Sequence, residues 1–355
     1  VVLIIVLLIL LIASMSFTIY DKFIKKENSN PAVTDKDKNN ETQDKNQNEV
    51  SNLVKDDQIY MTNNSTTYTA SMYNFVISKE EKELYEKWIN IYKEKISVEY
   101  PKIDEKRVEK LAQENARYLI SIFTPATIMG YTVNFCQLNY IVHWFEDYIE
   151  KEEDNTFSKK LKPVLQEFIE QVKDLTVEEL NSDVKKRTIS LFAKRKERKE
   201  EFGENYCTTY LASFAQLAQA QRHRTLSYEM SLLENAKYYV PPIIRGTELE
   251  KEWLKDISSL EDYYPQGMLI QVNERGTFEN FILKCEERLC GAAQLEIMDQ
   301  TKIIMQKYLE KTKESAPEIY NELLPYSKGA RCTFPGWKCT APCVFGAKDA
   351  MKRKI

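Results

Sequence analysis

The segment LEDYYPQGMLIQVNERGTFENFILKC, residues 260–285, contains in order a helix end, a Pro-containing turn, an extended apolar run and the start of a new helix. An earlier segment, ARYLISIFTPATIMGYTVNFCQLNYIVHWF at 116–145, has the same order of elements, and both extended runs end in Val-Asn. The similarity predicts a degenerate internal duplication in which Asn134 matches Asn273. Two ordinary helix–turn–strand–helix units in one α+β domain remain the alternative.

Amphipathic helices surround the two predicted strands. In the range 79–94, Leu84, Trp88 and Ile91 recur at spacings of four and three, which places them on one helix face. We expect a helix-rich α+β fold of two tandem related units, each a small antiparallel sheet flanked by helices, behind an N-terminal hydrophobic helix. The predicted helices cover 79–94, 108–122, 161–172, 248–260, 278–289 and 294–311, and the predicted strands cover 131–133 and 268–272.

The N-terminal region differs in composition from the rest. Residues 1–20 carry no charge, and a helix of that length spans the core of one bilayer, so they predict a membrane anchor. Lys22, Lys25 and Lys26 follow, which favours a cytoplasmic main body under the positive-inside rule. The chain then divides into a disordered polar linker at 21–67, a repeat without the motif at 68–180, a motif-bearing unit at 181–325 and a Cys-rich tail at 326–355.

Overall composition excludes several classes of protein. The 355 residues include 50 Lys+Arg and 54 Asp+Glu, a net charge of -4, so the chain is not a polycation that coats nucleic acid. Two His leave no room for a His-rich metal centre. Neither GxxxxGK[ST] nor GxGxxG occurs among only nine Gly, so a P-loop enzyme and a dinucleotide-binding Rossmann domain are not expected.

The most informative stretch is QAQRHRTLSYEMSLLENAKYYVPP, residues 219–242. Arg222, His223 and Arg224 place three potential cations in a row, and Glu229 and Ser231 follow closely. Guanidinium groups suit phosphates, and a serine hydroxyl can complete a phosphate site, so the stretch predicts an anion or nucleotide site. From charge alone, a solvated basic turn is the commoner meaning of such a triplet.

This stretch resembles the signature of the flavin-dependent thymidylate synthases. In that family Arg-His-Arg is followed by seven residues and Ser, with Glu two places before the Ser and a Gln three places before the triplet. Further elements resemble the family in the same order along the chain: Asn273-Glu274-Arg275, Arg288-Leu289-Cys290 and Ala293-Gln294-Leu295-Glu296-Ile297. The resemblance covers about residues 200–310.

The resemblance implies a largely antiparallel sheet flanked by helices, in a homo-oligomer with sites between subunits. It implies FAD-dependent methylation of dUMP to dTMP, in which FAD relays hydride from NADPH and methylenetetrahydrofolate supplies the one-carbon unit. No cysteine nucleophile is needed in this family, and no nucleic acid is an expected partner.

The resemblance also implies roles for individual residues. The catalytic residues would be Arg222, His223, Arg224, Glu229 and Ser231. The flavin would contact Arg222, His223, Arg224 and Gln294. The nucleotide would contact Gln219, Glu229, Ser231, Arg275 and Arg288, with Ser231 at its phosphate.

The sequence also departs from the family pattern. Six residues, not seven, separate Arg224 from Ser231, and Gln306 stands where the family has an Arg. The first repeat has Phe135-Cys136 where an Arg would fall, and it carries no Arg-His-Arg. Two alternatives therefore stand beside the enzyme: a non-catalytic homologue that binds flavin or nucleotide, and a membrane-anchored helical interaction protein in which Arg-His-Arg is incidental.

Cysteines concentrate in the tail. Cys332, Cys339 and Cys343, together with Cys290, supply four thiolates, enough for a closed tetrahedral zinc site. Their spacings are not those of a standard CxxC knuckle, so free thiols and a single disulfide remain alternatives.

Overall fold

The computed structural model describes residues 60–62, 65–68, 77–124, 131–180, 205–223, 225–340 and 343–355. The predicted membrane anchor at 1–20, most of the predicted linker and Arg224 lie outside these residues. No helix among the described residues has the length and apolar character required to cross a bilayer.

The regular elements are six strands and ten α-helices within the described ranges. The strands are β1 Tyr60–Thr62, β2 Ser65–Tyr68, β3 Tyr131–Thr132, β4 Tyr206–Ser213, β5 Ser227–Leu232 and β6 Leu269–Gly276. The helices are α1 Lys79–Glu99, α2 Glu105–Ala116, α3 Phe135–Lys151, α4 Thr156–Val172, α5 Phe214–Ala220, α6 Glu248–Ser258, α7 Phe278–Arg288, α8 Leu295–Ser315, α9 Pro317–Leu323 and α10 Gly346–Asp349.

The described residues form two compact units, and the smaller one contains residues 60–62, 65–68 and 131–180. Its sheet has the antiparallel order β1-β2-β3, and its helices α3 and α4 contact each other. Asn134 and Asn155 begin the two helices with capping boxes, in which each side chain accepts a backbone N–H of the first turn. Leu138, Phe145 and Leu165 are buried in this unit.

The larger unit contains residues 77–124 and 188–355. Its sheet has the antiparallel order β4-β6-β5, with Glu274 of β6 opposite Thr208 of β4 and Tyr228 of β5. Tyr206, Tyr228 and Val272 are buried, and Phe281 of α7 stacks on Tyr206 with ring centroids 4.6 Å apart. Helix α7 therefore covers the face of the sheet that carries Glu274.

Helices α1, α2 and α6 form a second part of the core of this unit. Trp88, Tyr92 and Trp253 are fully buried, and the two indole rings meet edge to face at 4.9 Å. The indole N–H of Trp88 donates to Asp256 Oδ2 at 2.8 Å. The aromatic stripe predicted on 79–94 thus packs against α6, which follows much later in the sequence.

The predicted fold class is confirmed in its coarse form, a helix-rich α+β protein with small antiparallel sheets. The predicted boundaries differ from the observed units, because residues 77–124 belong to the same unit as the Arg-His-Arg segment. The proposed match of Asn134 with Asn273 also has no counterpart in local structure: Asn134 caps a helix, whereas Asn273 lies within β6 and Thr277 caps the next helix.

Candidate functional site

The Arg-His-Arg segment begins in a tight turn between α5 and β5. All seven residues of α5 are buried, so the turn is anchored in the core. The backbone N–H of His223 donates to the carbonyl of Ala220 at 3.0 Å, and that of Leu226 donates to the carbonyl of His223 at 3.1 Å. These bonds hold Arg222 and His223 in place at the end of the helix.

Arg288 ties the end of α7 to this turn. Its Nε–H donates to His223 Nε2 at 2.6 Å, and its Nη2 donates to the carbonyl oxygen of Gln219 at 3.2 Å. The structure therefore brings together four residues predicted from the sequence: Gln219, Arg222, His223 and Arg288. Gln219 contributes its backbone carbonyl here, and its side chain is buried.

His223 is neutral in this environment, although the sequence suggests a third cation. Burial lowers the pKa of His223 to about 3, and the charges of Arg288 and Lys284 add to the effect. The bond from Arg288 requires Nε2 to accept, so the imidazole proton resides on Nδ1. His223 thus acts as a neutral acceptor that orients Arg288.

Arg117 is the residue that the sequence reasoning missed. It lies in a short 3₁₀ turn, Arg117–Leu119, and the residue is only 6% exposed. Its Nε has no hydrogen-bond partner among the described residues, and no described carboxylate forms an ion pair with it. A single arginine beside the apolar run YLISIF was the available signal in the sequence.

Arg117, Arg222 and Arg288 form a chain of neighbouring guanidinium groups, here called the arginine cluster. Arg222 reaches the surface, yet packing against protein and the charge of Arg117 both lower its pKa. Burial, followed by the charge of Arg222, lowers the pKa of Arg288, against a smaller opposing effect of Glu287. Arg222 is thus repelled by Arg117 on one side and by Arg288 on the other, and an anion bound beside it would relieve that repulsion.

Gln294, the predicted flavin contact, is engaged inside the protein. It begins α8 as its N-cap, and its Nε2 donates to the hydroxyl of Tyr118 at 2.5 Å. Tyr118 in turn donates to Glu296 Oε2 at 3.1 Å, and Ser213 donates to Glu296 through its backbone N–H at 2.8 Å. Burial raises the pKa of Glu296 against these hydrogen bonds. This network fixes the turn that carries Arg117.

Gly267 sets the position of the same turn from the other side. Its N–H donates to the carbonyl of Tyr118 at 2.8 Å. A Cβ at this position would lie 2.8 Å from Ile257 Cδ1 and 2.9 Å from Tyr118 Cβ, which is too close for any side chain. The absence of a side chain at Gly267 therefore allows the 3₁₀ turn to pack directly on the chain.

Three further predicted site residues lie on the face of the sheet opposite α7: Glu229, Ser231 and Arg275. Side chains alternate along a strand, and Glu274 faces α7, so Arg275 leaves β6 on the opposite face. Glu229 and Ser231 share that face, because they lie opposite Asn273 and Gln271 in the register. One chain therefore presents the predicted site residues in two groups, and the described residues do not include Arg224.

The four cysteines predicted to bind zinc do not converge. No group of three or more His, Cys, Asp or Glu side chains in the described ranges is placed to hold a metal ion. Cys332 and Cys339 are exposed, whereas Cys290 and Cys343 are half-buried. Compared with models of known protein families, with curated proteins and with solved structures, the chain matches none.

Proposed function

We propose that the arginine cluster binds the phosphate of a nucleotide and that the chain is a flavin-dependent thymidylate synthase of the kind its sequence resembles. It would convert dUMP to dTMP with methylenetetrahydrofolate as the one-carbon donor and NADPH as the reductant. The observation that carries the proposal is the buried Arg117, which lies beside Arg222 and has no described carboxylate as ion-pair partner.

A buried guanidinium without a counter-ion is costly to the folded protein. The buried Nε of such a group loses hydration and gains no hydrogen bond in return, and here the cation of Arg222 lies near it. A phosphate offers several acceptor oxygens and a negative charge, so it would satisfy Arg117 Nε and offset the repulsion within the arginine cluster. The energetic cost in the ligand-free protein is the expected signature of a binding site.

The other residues of the turn would orient this cluster. Neutral His223 holds the Nε–H of Arg288, and the Gln219 carbonyl holds its Nη2, so the remaining donor atoms of that guanidinium can face a ligand. FAD, when bound, would supply the hydride transfer of the reaction. The residues of this chain would bind and position the phosphate groups of flavin and nucleotide.

The two-sided placement of the predicted residues supports a site shared between copies. Arg288 and His223 lie on the α7 side of the sheet, whereas Glu229, Ser231 and Arg275 lie on the opposite face. A second copy of the chain would supply one group to the other, as the family resemblance implies. We therefore propose a homo-oligomer in which each site takes residues from more than one subunit.

The test uses the purified full chain and its visible spectrum. We expect added FAD to bind and give flavin bands, which bleach with NADPH when dUMP is present, and dTMP to form when methylenetetrahydrofolate is added. A protein that takes up neither FAD nor dUMP would overturn the proposal. Binding of inorganic phosphate measured at several salt concentrations reports on the arginine cluster alone.

A matched pair of variants separates the cluster from general charge effects. Arg288→Met removes one guanidinium from the cluster, and we expect the affinity for dUMP to fall about 10–100-fold, the value of one charged hydrogen-bonding contact. Arg245→Met is the control, because Arg245 is exposed and donates to the carbonyl of Val240. Equal losses in both variants would show that the cluster is not the binding site.

The second candidate is a homologue that binds flavin or nucleotide without transferring a methyl group. The shortened segment between Arg224 and Ser231 favours it. In this case the chain would bind dUMP or FAD, and no dTMP would form under any condition. In either case, we propose that residues 1–20 tether the protein to a membrane and that the segments 68–180 and 181–325 arose from one ancestral repeat.

A further inference from the structure

The turn between α7 and α8, residues 289–294, lies against the C-terminal segment. The N–H of Arg331 donates to the carbonyl of Leu289 at 2.6 Å, and Arg353 Nη2 donates to the carbonyl of Ala293. Gly291 lies at the middle of the contact. A Cβ on Gly291 would be 2.6 Å from Cys343 Sγ and 3.1 Å from Ala350 Cβ, so only glycine allows the segment to approach this closely.

A cysteine lies on each side of this contact. Cys290 directly precedes Gly291 in the chain, and Cys343 Sγ lies against Gly291. The Arg353 guanidinium interacts electrostatically with both sulfur atoms. Both residues are half-buried free thiols, so part of each side chain is open to a small reagent. The other tail cysteines, Cys332 and Cys339, are exposed.

We propose that Cys290 and Cys343 form a reversible disulfide that couples thiol redox state to the arginine cluster. The coupling to the cluster rests on the proposed function, whereas the cross-link rests on the position of Cys343 Sγ against Gly291, the residue next to Cys290. The coupling follows from position: Arg288 lies two residues before Cys290, and Gln294 lies four residues after it. A cross-link at Cys290 would restrict the segment that holds both side chains.

The chemistry requires an oxidant, and a low-molecular-weight disulfide such as oxidised glutathione serves. One thiolate attacks the glutathione disulfide, which releases one glutathione thiol and leaves a mixed disulfide. The second thiolate then attacks the protein sulfur of that mixed disulfide. The Cys290–Cys343 bond forms, the second glutathione leaves as a thiol, and the two protein thiols have lost two electrons and two protons.

The test maps disulfides in the full chain after incubation with reduced and oxidised glutathione. Free thiols are then alkylated, and the peptides are identified by mass spectrometry. We expect a linked peptide pair containing Cys290 and Cys343 that dithiothreitol separates. It should disappear in Cys290→Ser and in Cys343→Ser, and it should persist in the control variants Cys332→Ser and Cys339→Ser. Full alkylation of Cys290 and Cys343 under oxidising conditions would overturn the cross-link.

The coupling is tested by the binding of inorganic phosphate in oxidised and reduced protein. Because a restricted turn loses less freedom on binding, we expect oxidation to tighten phosphate binding at least roughly threefold in the wild type and not in Cys343→Ser. Equal affinities in a protein that carries the cross-link would overturn the coupling. Loss of phosphate binding in both redox states would reject the proposed function and the coupling together, while the peptide map still decides the cross-link.

Discussion

The neutral state of His223 makes the stability of the fold depend on pH. Its pKa is about 3 in the folded protein, mainly because of burial, and near 6.5 in the unfolded chain. Below pH 6.5 the unfolded chain takes up a proton that the folded protein does not. Stability from this residue is therefore complete above pH 6.5 and decreases as the pH falls towards 3.

We expect His223→Gln to reduce this pH dependence. At pH 5 the wild type should have lost about 2 kcal/mol as an upper limit from His223, relative to pH 7, and the variant should not show that loss. Urea unfolding at pH 5, 6 and 7 measures the difference. His143→Gln is the control, because His143 is exposed and lies 2.9 Å from Glu146. The same decrease in all three proteins would contradict the assignment.

Arg117 should show opposite effects on stability and binding. Arg117→Met removes a buried cation without a described counter-ion, so we expect the ligand-free protein to gain about 1–3 kcal/mol in free energy of unfolding. The same variant should bind phosphate more weakly. Urea unfolding and phosphate titration test the two halves. A destabilised variant with unchanged phosphate binding would assign Arg117 a purely structural role.

Helix α7 is attached to the sheet by a buried ion pair. Lys284 Nζ lies 2.5 Å from Glu274 Oε2, and both side chains are fully buried. The hydroxyls of Tyr206 and Tyr210 donate to the same carboxylate at 2.8 and 2.7 Å. The two carboxylate oxygens are thus fully used, as a buried charge requires. This attachment also positions Arg288 at the end of the helix.

Replacing one residue of this ion pair should lower the free energy of unfolding more than replacing both residues. We expect Lys284→Met to lower the free energy of unfolding by about 3–5 kcal/mol, because it leaves the Glu274 carboxyl buried without its counter-ion. The double variant Glu274→Gln with Lys284→Met should recover a large part of that loss. Chemical unfolding of these two variants and of the single variant Glu274→Gln gives the coupling energy, and additive losses would show that the pair is not coupled.

At this scale the helices were easier to predict than the strands. Helix α6 was predicted at 248–260 and α7 at 278–289, because the spacing of the apolar residues indicates one buried helix face in both. Strand β4 was missed. Its buried face carries Tyr206, Tyr210 and Ala212, but Cys207 and Leu211 put apolar side chains on the exposed face and hide the alternation.

The larger unit is discontinuous in sequence, since residues 77–124 and 188–355 belong to it and 125–187 do not. Sequence patterns identified the apolar face with Trp88 but not its partner Trp253, because periodicity describes one element and says nothing of distant pairs. For the same reason, the arginine cluster could not be predicted from sequence periodicity. Arg222 and Arg288 were chosen by resemblance, whereas Arg117 joins them only through folding.

The discontinuity predicts which segments can be removed. Replacing residues 125–187 with a flexible linker of about ten residues should leave the larger unit with one cooperative thermal transition, because its core lies outside that segment. Removing 77–124 is the matched deletion, and it should abolish the transition, since it takes Trp88, Tyr92 and Leu111 from the core. Circular dichroism during heating tests both, and a similar outcome for the two deletions would contradict this division.

Gly267 supports the 3₁₀ turn that carries Arg117. A substitution at this glycine would move the Arg117 guanidinium without changing the net charge of the protein. A methyl group at position 267 would push against Tyr118 and Ile257, and Arg117 would shift with its neighbour. The substitution Ile257→Val removes Cδ1, one of the two nearest atoms. It would therefore compensate for the methyl group added at position 267. A substitution at position 267 would thus change anion binding by the arginine cluster, although this position does not contact the ligand.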